Sequence, residues 1–186
     1  MTLYHGSPFL FDHFELCSAG ESTGCKFGYG VYLTEAEASS VHYSQPRKCT
    51  LTPDHYLYTV EIAPLTADNH IISAQPVAQT ILERTAKALG TPVPENKARA
   101  GKVFRKWVGM TLTGAKKAGA EEEKAAADFL DSIGVYYNVW PTAQTKPDGP
   151  KNIAVFCAER VSIVKREYID IEKKGKKWIL TGRREV

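Results

Sequence analysis

A small set of side chains near the N-terminus has the types and spacing needed to bind a flat ligand that carries an amide. Tyr32 lies in a segment of strand-like composition, and Ser40 and Tyr43 follow in a segment of helix-like composition. Residues three apart share a helix face, so Ser40 and Tyr43 lie on one side of that helix. Two facing tyrosines can stack on a planar ring, and a serine hydroxyl can hydrogen-bond its amide. His5, followed by Gly6, adds an imidazole suited to a sugar hydroxyl.

The glycines just before Tyr32 do not form a dinucleotide-binding loop. Gly28 and Gly30 are two residues apart, but a Rossmann fingerprint needs a strand before its glycines and a third glycine that opens a helix. Here the strand-like residues Val31-Tyr32-Leu33 come after the glycines. We therefore expect the two glycines to let the backbone approach another group closely.

Strands at both ends of the chain must position these residues. Alternating and β-branched segments predict six strands and one terminal hairpin. The strands are Thr2–His5, Gly30–Leu33, His55–Ile62, Val135–Trp140, Ile153–Cys157 and Val161–Lys165, and the hairpin pairs Tyr168–Ile171 with Lys177–Leu180. We expect mostly antiparallel pairing between them.

Helices fill the middle of the chain. Thr34 and Glu37 match a capping box, which predicts a helix from Glu35 to Ser44. Apolar residues at helical spacing predict three further helices. One has Pro76 at its first position and ends before Gly90, one includes residues 104–108, and one ends at Gly134. The predicted fold class is α+β.

Three motifs of this chain resemble those of a known family. The first is Tyr4-His5-Gly6-Ser7. The second is Phe27-Gly28-Tyr29-Gly30-Val31-Tyr32-Leu33, with Ser40 and Tyr43 eight and eleven residues after Tyr32. The third is Asn152-Ile153-Ala154-Val155-Phe156, followed by Val161-Ser162-Ile163-Val164. In this order they resemble the ADP-ribosyltransferase family, in the branch of diphtheria toxin and the poly(ADP-ribose) polymerases. The resemblance covers residues 3–44 and 125–165 and is absent from 65–120.

The resemblance implies a role in binding NAD for each matching residue. His5 would bond the ribose on the adenine side, and the Gly6 backbone and Ser40 would hold the nicotinamide carboxamide. Tyr32 and Tyr43 would sandwich the nicotinamide ring. The glycosidic bond then breaks toward an oxocarbenium-like ribosyl cation, and an acceptor nucleophile attacks the anomeric carbon without a metal.

The resemblance also implies that Ser7, at the end of the first motif, contacts NAD. The catalytic set would be His5, Tyr32 and the residue at the start of the third motif, where the family has a glutamate and this chain has Asn152. An asparagine can keep a hydrogen bond to the nicotinamide ribose, but it takes no proton and carries no charge.

Three alternatives follow from Asn152. In the first, the acceptor needs little deprotonation or receives its base from elsewhere. In the second, another carboxylate reaches the site, with Glu159, Asp148 and Glu61 as candidates. In the third, the domain binds NAD without catalysis. Polymer elongation is disfavoured in each case, because it needs a hydroxyl activated as a nucleophile.

The family resemblance implies an NAD-dependent mono-ADP-ribosyltransferase with a macromolecular acceptor, first of all a protein. It implies one domain over residues 1–186 with split antiparallel β-sheets and a central helical region, in which residues 65–120 are a variable helical insertion. A bacterial toxin or effector is the context that such a compact chain suits. The alternatives are an inactive domain that binds NAD, ADP-ribose or a partner, and an enzyme that modifies nucleic acid.

The composition is that of an ordinary globular domain. Hydrophobic residues make up 43% and charged residues 24% of the 186 residues, which excludes a disordered chain or a fibrous repeat. The sequence predicts no membrane span and no secretory signal. The scattered Cys17, Cys25, Cys49 and Cys157 predict no metal site. We expect action in a reducing cytoplasm, including that of a host or target cell after delivery.

Positive charge is concentrated in two segments, although the net charge is only +3. Residues 97–117 carry seven basic and no acidic side chains, and residues 173–184 carry six basic and no acidic ones. The simplest interpretation is a solvated helix face and a hairpin tip. A polyanion site is the alternative, and it keeps a nucleic-acid acceptor open.

Overall fold

Eight strands form one mixed sheet in the described part of the chain. A computed structural model describes residues 1–16, 26–45, 54–143 and 145–186. The strands are β1 (Thr2–Ser7), β2 (Val31–Thr34), β3 (Tyr56–Glu61), β4 (His70–Ile72), β5 (Tyr137–Pro141), β6 (Lys151–Val155), β7 (Ser162–Lys174) and β8 (Lys177–Glu185). Their order across the sheet is β4-β5-β6-β2-β1-β3-β7-β8. Neighbouring strands are antiparallel except β4 and β5, which confirms the expected pairing.

Five α-helices within the described ranges accompany the sheet, as expected of an α+β fold. They are α1 (Glu37–Tyr43), α2 (Gln79–Leu89), α3 (Glu95–Ala98), α4 (Gly101–Thr113) and α5 (Ala120–Ser132), with a 3-10 turn at Ala158–Arg160. The predicted helix ends at Gly90 and Gly134 are confirmed, because both glycines adopt the positive φ that ends a helix. Residues 65–120 include β4 and three of the helices.

Two predicted helix starts are wrong. α1 begins at Glu37 rather than Glu35, because the Thr34 hydroxyl accepts a hydrogen bond from the Ala36 backbone and closes a turn before the helix. α2 begins at Gln79 rather than Pro76, since the chain is still extended at Ala78. In both places a short turn separates the sequence signal from the first helical residue.

Two strand predictions also need correction. The segments Val161–Lys165 and Tyr168–Ile171 form one continuous strand, β7, which pairs with β3 and then with β8. The predicted terminal hairpin is confirmed, with longer strands than expected. β4 was missed, because three residues are too few for a periodic pattern.

The middle of the sheet is divided between β1 and β2. β1 pairs with β3 over the six residues Thr2–Ser7, whereas one described residue pair, Tyr4 with Thr34, joins β1 to β2. The expectation of two split sheets is therefore corrected to one sheet whose halves meet at a single pair. We call the space beyond that pair, between Gly6 and Tyr32, the split.

Paired residues of neighbouring strands lie on the same face of a sheet. The registers therefore place five residues on one face, here called the site face: Tyr4, Gly6, Tyr32, Thr34 and Asn152. The opposite face carries one core, formed by residues such as Leu3, Leu33, Val60 and Ile153.

The helix α1 covers one end of the site face, and the group α2, α4 and α5 covers the other. α1 packs Val41 on Leu57 and Ile169 at the β3 and β7 end. Helices α2, α4 and α5 bury a core with Ile71 of β4 at the other end, and its members include Ile81, Phe104, Val108 and Leu130. The split lies between α1 and the group α2, α4 and α5.

Candidate functional site

At Gly6 the backbone of α1 lies directly against β1. A Cβ atom on Gly6 would lie 1.9 Å from the carbonyl oxygen of Ser40 and 2.9 Å from the backbone nitrogen of Ser44. No side chain fits such a gap, although the φ angle of Gly6 is ordinary. The glycine therefore allows α1 to lie directly on the end of β1.

The peptide group of Gly6 faces the split. The Met1 ammonium donates to the Ile62 carbonyl at 2.8 Å, and the Ile62 amide donates back to Met1 at 3.1 Å. Because hydrogen-bonding direction alternates along a strand, odd-numbered residues of β1 face β3 and even-numbered ones face β2. Tyr4 uses this second edge to pair with β2. Gly6 thus presents one N–H donor and one C=O acceptor where β2 diverges.

His5 pairs with Tyr58, so its side chain lies on the face opposite Gly6 and Asn152, and it reaches the edge of the split through one hydrogen bond. Its Nδ1 lies 2.9 Å from the carbonyl oxygen of Tyr32. A carbonyl only accepts, so Nδ1 carries the hydrogen and Nε2 of the neutral ring is an acceptor. Burial, the largest effect, lowers the pKa of His5, and the hydrogen bond to Tyr32 opposes it more weakly. The ring meets Phe14 edge-on at 5.1 Å. His5 is therefore neutral at pH 7.

The ring of Tyr32 is fixed by its own motif. Its hydroxyl donates to the carbonyl of Gly28 at 2.7 Å and accepts from the amide of Phe27 at 3.3 Å. Trp140 meets the Tyr32 ring edge-on at 5.6 Å and stacks on Phe27 at 4.3 Å. The turn before β2 and the aromatic pair together set the orientation of Tyr32.

That turn is anchored by two buried residues that the sequence analysis missed. The side-chain amide of Asn138 on β5 donates to the carbonyl of Phe27 at 2.7 Å. Arg105 on α4 lies under Gly28, where a Cβ atom would come within 3.1 Å of its Nε. Glu123 on α5 pairs with Arg105 at 2.5 Å, and both are buried. Apart from the glycine, no sequence signal marks these contacts.

The remaining residues of the first two motifs are placed as follows. Ser40 is buried on the inner side of α1, and its hydroxyl donates to the carbonyl of Glu37 at 2.6 Å. Tyr43, near the end of α1, is 50% exposed. Ser7 is buried and accepts a hydrogen bond from the amide of Phe9 at 3.0 Å, so it shapes the turn after β1.

Asn152 lies on the site face between Thr34 and Trp140. It is half-buried, and its side-chain amide has no hydrogen-bond partner among the residues that the structure describes. It is one strand away from the split, two positions along β6 from the partner of Tyr32. An amide there can donate and accept a hydrogen bond but cannot take a proton.

The three carboxylates proposed as substitutes lie elsewhere. Glu61 pairs with Thr2 and Ser162, on the far side of β1. Glu159 lies in the turn after β6, at the opposite end of that strand from Asn152. Asp148 is exposed in the loop before β6.

A carboxylate that the sequence analysis did not single out lies next to Asn152. The amide of Lys151 donates to Oε2 of Glu35 at 2.7 Å, and the amide of Glu35 donates to the carbonyl of Lys151 at 2.9 Å. Glu35 directly follows Thr34, the partner of Asn152. Only the register of β2 and β6 brings it there.

The described residues contain neither a metal-binding cluster nor a helix that could span a membrane. Across residues 1–16, 26–45, 54–143 and 145–186, no three His, Cys, Asp or Glu side chains are grouped so that they could hold a metal ion. Within the same ranges, every helix is too short or too polar to cross a bilayer. Cys17, Cys25 and Cys49 lie outside the described residues.

Comparison with protein-family models, curated protein sequences and solved structures gave no match to this chain.

Proposed function

We propose that the protein is an NAD-dependent mono-ADP-ribosyltransferase that transfers ADP-ribose from NAD to a macromolecular acceptor, most of all a protein, and releases nicotinamide. The observation that carries this proposal is the grouping at the split. Gly6, the ring of Tyr32 and the amide of Asn152 share one face, and among the described residues the Gly6 peptide has no strand partner on the β2 side. α1 lies directly against Gly6.

The split suits the nicotinamide end of NAD. A carboxamide has one N–H donor side and one carbonyl acceptor, which match the C=O and N–H that Gly6 offers. Tyr32 offers an aromatic ring beside that edge, on which a pyridinium ring can stack. The hydrogen bond from the Tyr32 hydroxyl to Gly28 already holds this ring in place. Binding of NAD would therefore cost little side-chain entropy at Tyr32.

His5 suits the ribose on the adenine side. With Nδ1–H committed to the Tyr32 carbonyl, Nε2 accepts a hydrogen bond from a sugar hydroxyl. The lowered pKa of His5 keeps that acceptor unprotonated at neutral pH. The hydrogen bond from Nδ1 to the Tyr32 carbonyl also fixes the orientation of the His5 ring relative to β2.

The reaction breaks one bond and forms one. The C1′–N bond of the nicotinamide riboside breaks, and its electron pair neutralises the pyridinium nitrogen of the leaving nicotinamide. The ribosyl cation that develops is attacked at C1′ by a lone pair of the acceptor, which then loses its proton. In this scheme Asn152 hydrogen-bonds a hydroxyl of the nicotinamide ribose, and another group takes the proton.

Label transfer tests the proposal. Purified protein is incubated with adenylate-labelled NAD and a crude cell extract, with and without nuclease, beside the variant Tyr32→Ala. We expect a labelled, nuclease-resistant protein band that is lost in Tyr32→Ala but kept in Tyr56→Ala, whose ring lies on β3 away from the split. Intact NAD and no label with the wild type would contradict transferase activity.

Two other functions have an observation in their favour. Asn152 in place of a carboxylate favours a domain that binds NAD without turnover, which would show binding and no nicotinamide release. The exposed lysines at the tip of the β7–β8 hairpin, Lys173, Lys174, Lys176 and Lys177, favour a nucleic-acid acceptor. In that case the labelled product would be sensitive to nuclease.

A further inference from the structure

The end of β2 holds a carboxylate in a fixed place beside Asn152. Two hydrogen bonds between Glu35 and Lys151 close the β2–β6 ladder: one joins the two backbones at 2.9 Å and one joins the Lys151 amide to Oε2 at 2.7 Å. Asn152 is the next residue along β6. The carboxylate is therefore held by the backbone N–H of Lys151, the residue before Asn152.

The remaining oxygen of this carboxylate is available to a reactant. Oε1 of Glu35 has no hydrogen bond to any residue in the described ranges, and Glu35 is exposed. A macromolecular acceptor must reach the site from solvent, so a base at the exposed edge can meet its nucleophilic group.

We propose that Glu35 is the general base of the transfer reaction and supplies the carboxylate that Asn152 lacks. This inference rests on the proposed function. Asn152 and Glu35 then divide two tasks between an amide and a carboxylate. The amide holds the ribose hydroxyl, and the carboxylate receives the acceptor's proton.

The step balances without any further reactant. The acceptor's O–H or N–H lone pair forms the new bond to C1′ while the C1′–N bond to nicotinamide breaks and its electron pair stays on nicotinamide. The proton of the acceptor moves to Oε1 of Glu35 and from there to water. No electron is gained or lost overall.

The test compares Glu35→Gln with the wild type in label transfer from adenylate-labelled NAD to extract protein. Glutamine can still accept the hydrogen bond from Lys151 through its amide oxygen, so the end of β2 stays in place, but it cannot take a proton. We expect NAD affinity by calorimetry to be unchanged and the transfer rate to fall by at least about 100-fold, as removal of a general base does. The matched control Glu61→Gln should keep the wild-type rate.

Two rescue measurements separate catalysis from structure. Formate added to Glu35→Ala should restore part of the rate, because it can replace the missing carboxylate. Asn152→Glu in the Glu35→Gln background should also raise the rate, because it returns a carboxylate to the neighbouring position. A merely structural role of Glu35 would give neither rescue.

The inference is overturned by Glu35→Gln with the wild-type transfer rate, by loss of its NAD affinity together with its activity, or by failure of both rescues. These results differ from failure of the proposed function. In that case the wild type itself neither transfers label nor releases nicotinamide, and the role of Glu35 falls with it.

Discussion

At the scale of single residues, the site depends as much on a missing side chain as on those present. Gly6 has an ordinary backbone conformation, so a search for unusual φ angles would pass over it. Its hydrogen lies where a Cβ would meet the Ser40 carbonyl. The motif His5-Gly6 therefore combines an imidazole acceptor with a glycine that lets α1 lie directly on β1.

His5 also makes the stability of the protein dependent on pH. Burial lowers its pKa below the ordinary 6.5 of the unfolded chain, so below pH 6.5 the unfolded state binds more protons than the folded state. The contribution of neutral His5 is fully present above pH 6.5 and is lost as pH falls toward the folded-state pKa. We expect the free energy of unfolding, measured with urea, to fall between pH 7.5 and pH 5.

The variant His5→Gln isolates this effect. Glutamine can donate to the Tyr32 carbonyl but does not titrate, so its stability should change less over the same pH range. His13→Gln, at a side chain that is 75% exposed, should keep the wild-type profile. Equal pH dependence of His5→Gln and the wild type would show that His5 does not titrate differently on folding.

At the scale of elements, the helical region supports the turn that carries Tyr32. Arg105 of α4 has no exposed surface and pairs with Glu123 of α5. One of its nitrogens, Nη1, is buried and has no hydrogen-bond partner within the ranges that the structure describes. Gly28 packs on this guanidinium, and the Gly28 carbonyl receives the Tyr32 hydroxyl. The helices α4 and α5 thus help to fix the turn that orients Tyr32.

Removing one partner of this ion pair leaves the other charge buried. We expect Arg105→Met to lower the free energy of unfolding by about 3–5 kcal/mol, and Arg105→Met with Glu123→Leu to regain most of it. Lys124→Met breaks an exposed pair with Asp128 and should cost no more than about 1 kcal/mol. Urea unfolding measures all three. A double variant as unstable as the single one would contradict the account of a buried, uncompensated charge.

The sequence predicted local features well and spatial neighbours poorly. The strand with His5, the strand with Tyr32 and the helix with Ser40 are local patterns, and all three form. Glu35, Asn138 and Arg105 reach the site through strand register or helix packing, which no spacing along the chain displays. For the same reason the sequence analysis considered Glu159, Asp148 and Glu61 but not Glu35, which only the β2–β6 register places beside Lys151.

At the scale of the whole molecule, the split is the place where β1 and β2 diverge beyond the Tyr4–Thr34 pair. One core covers the face opposite the site across both halves of the sheet, so the halves are held together there. On the site face, α1 and the group α2, α4 and α5 cover the two ends. The strand order therefore places the split between α1 on one side and the group α2, α4 and α5 on the other.

The central claim is that NAD binds in the split with its nicotinamide against Tyr32, and calorimetric titration of NAD tests it most directly. We expect the wild type and the control Tyr56→Ala to bind with equal affinity. Tyr32→Ala should bind at least about tenfold more weakly, a loss of about 1.4 kcal/mol, because it removes the stacking ring. Equal affinity of Tyr32→Ala and the wild type, or no binding by the wild type at millimolar NAD, would contradict the claim.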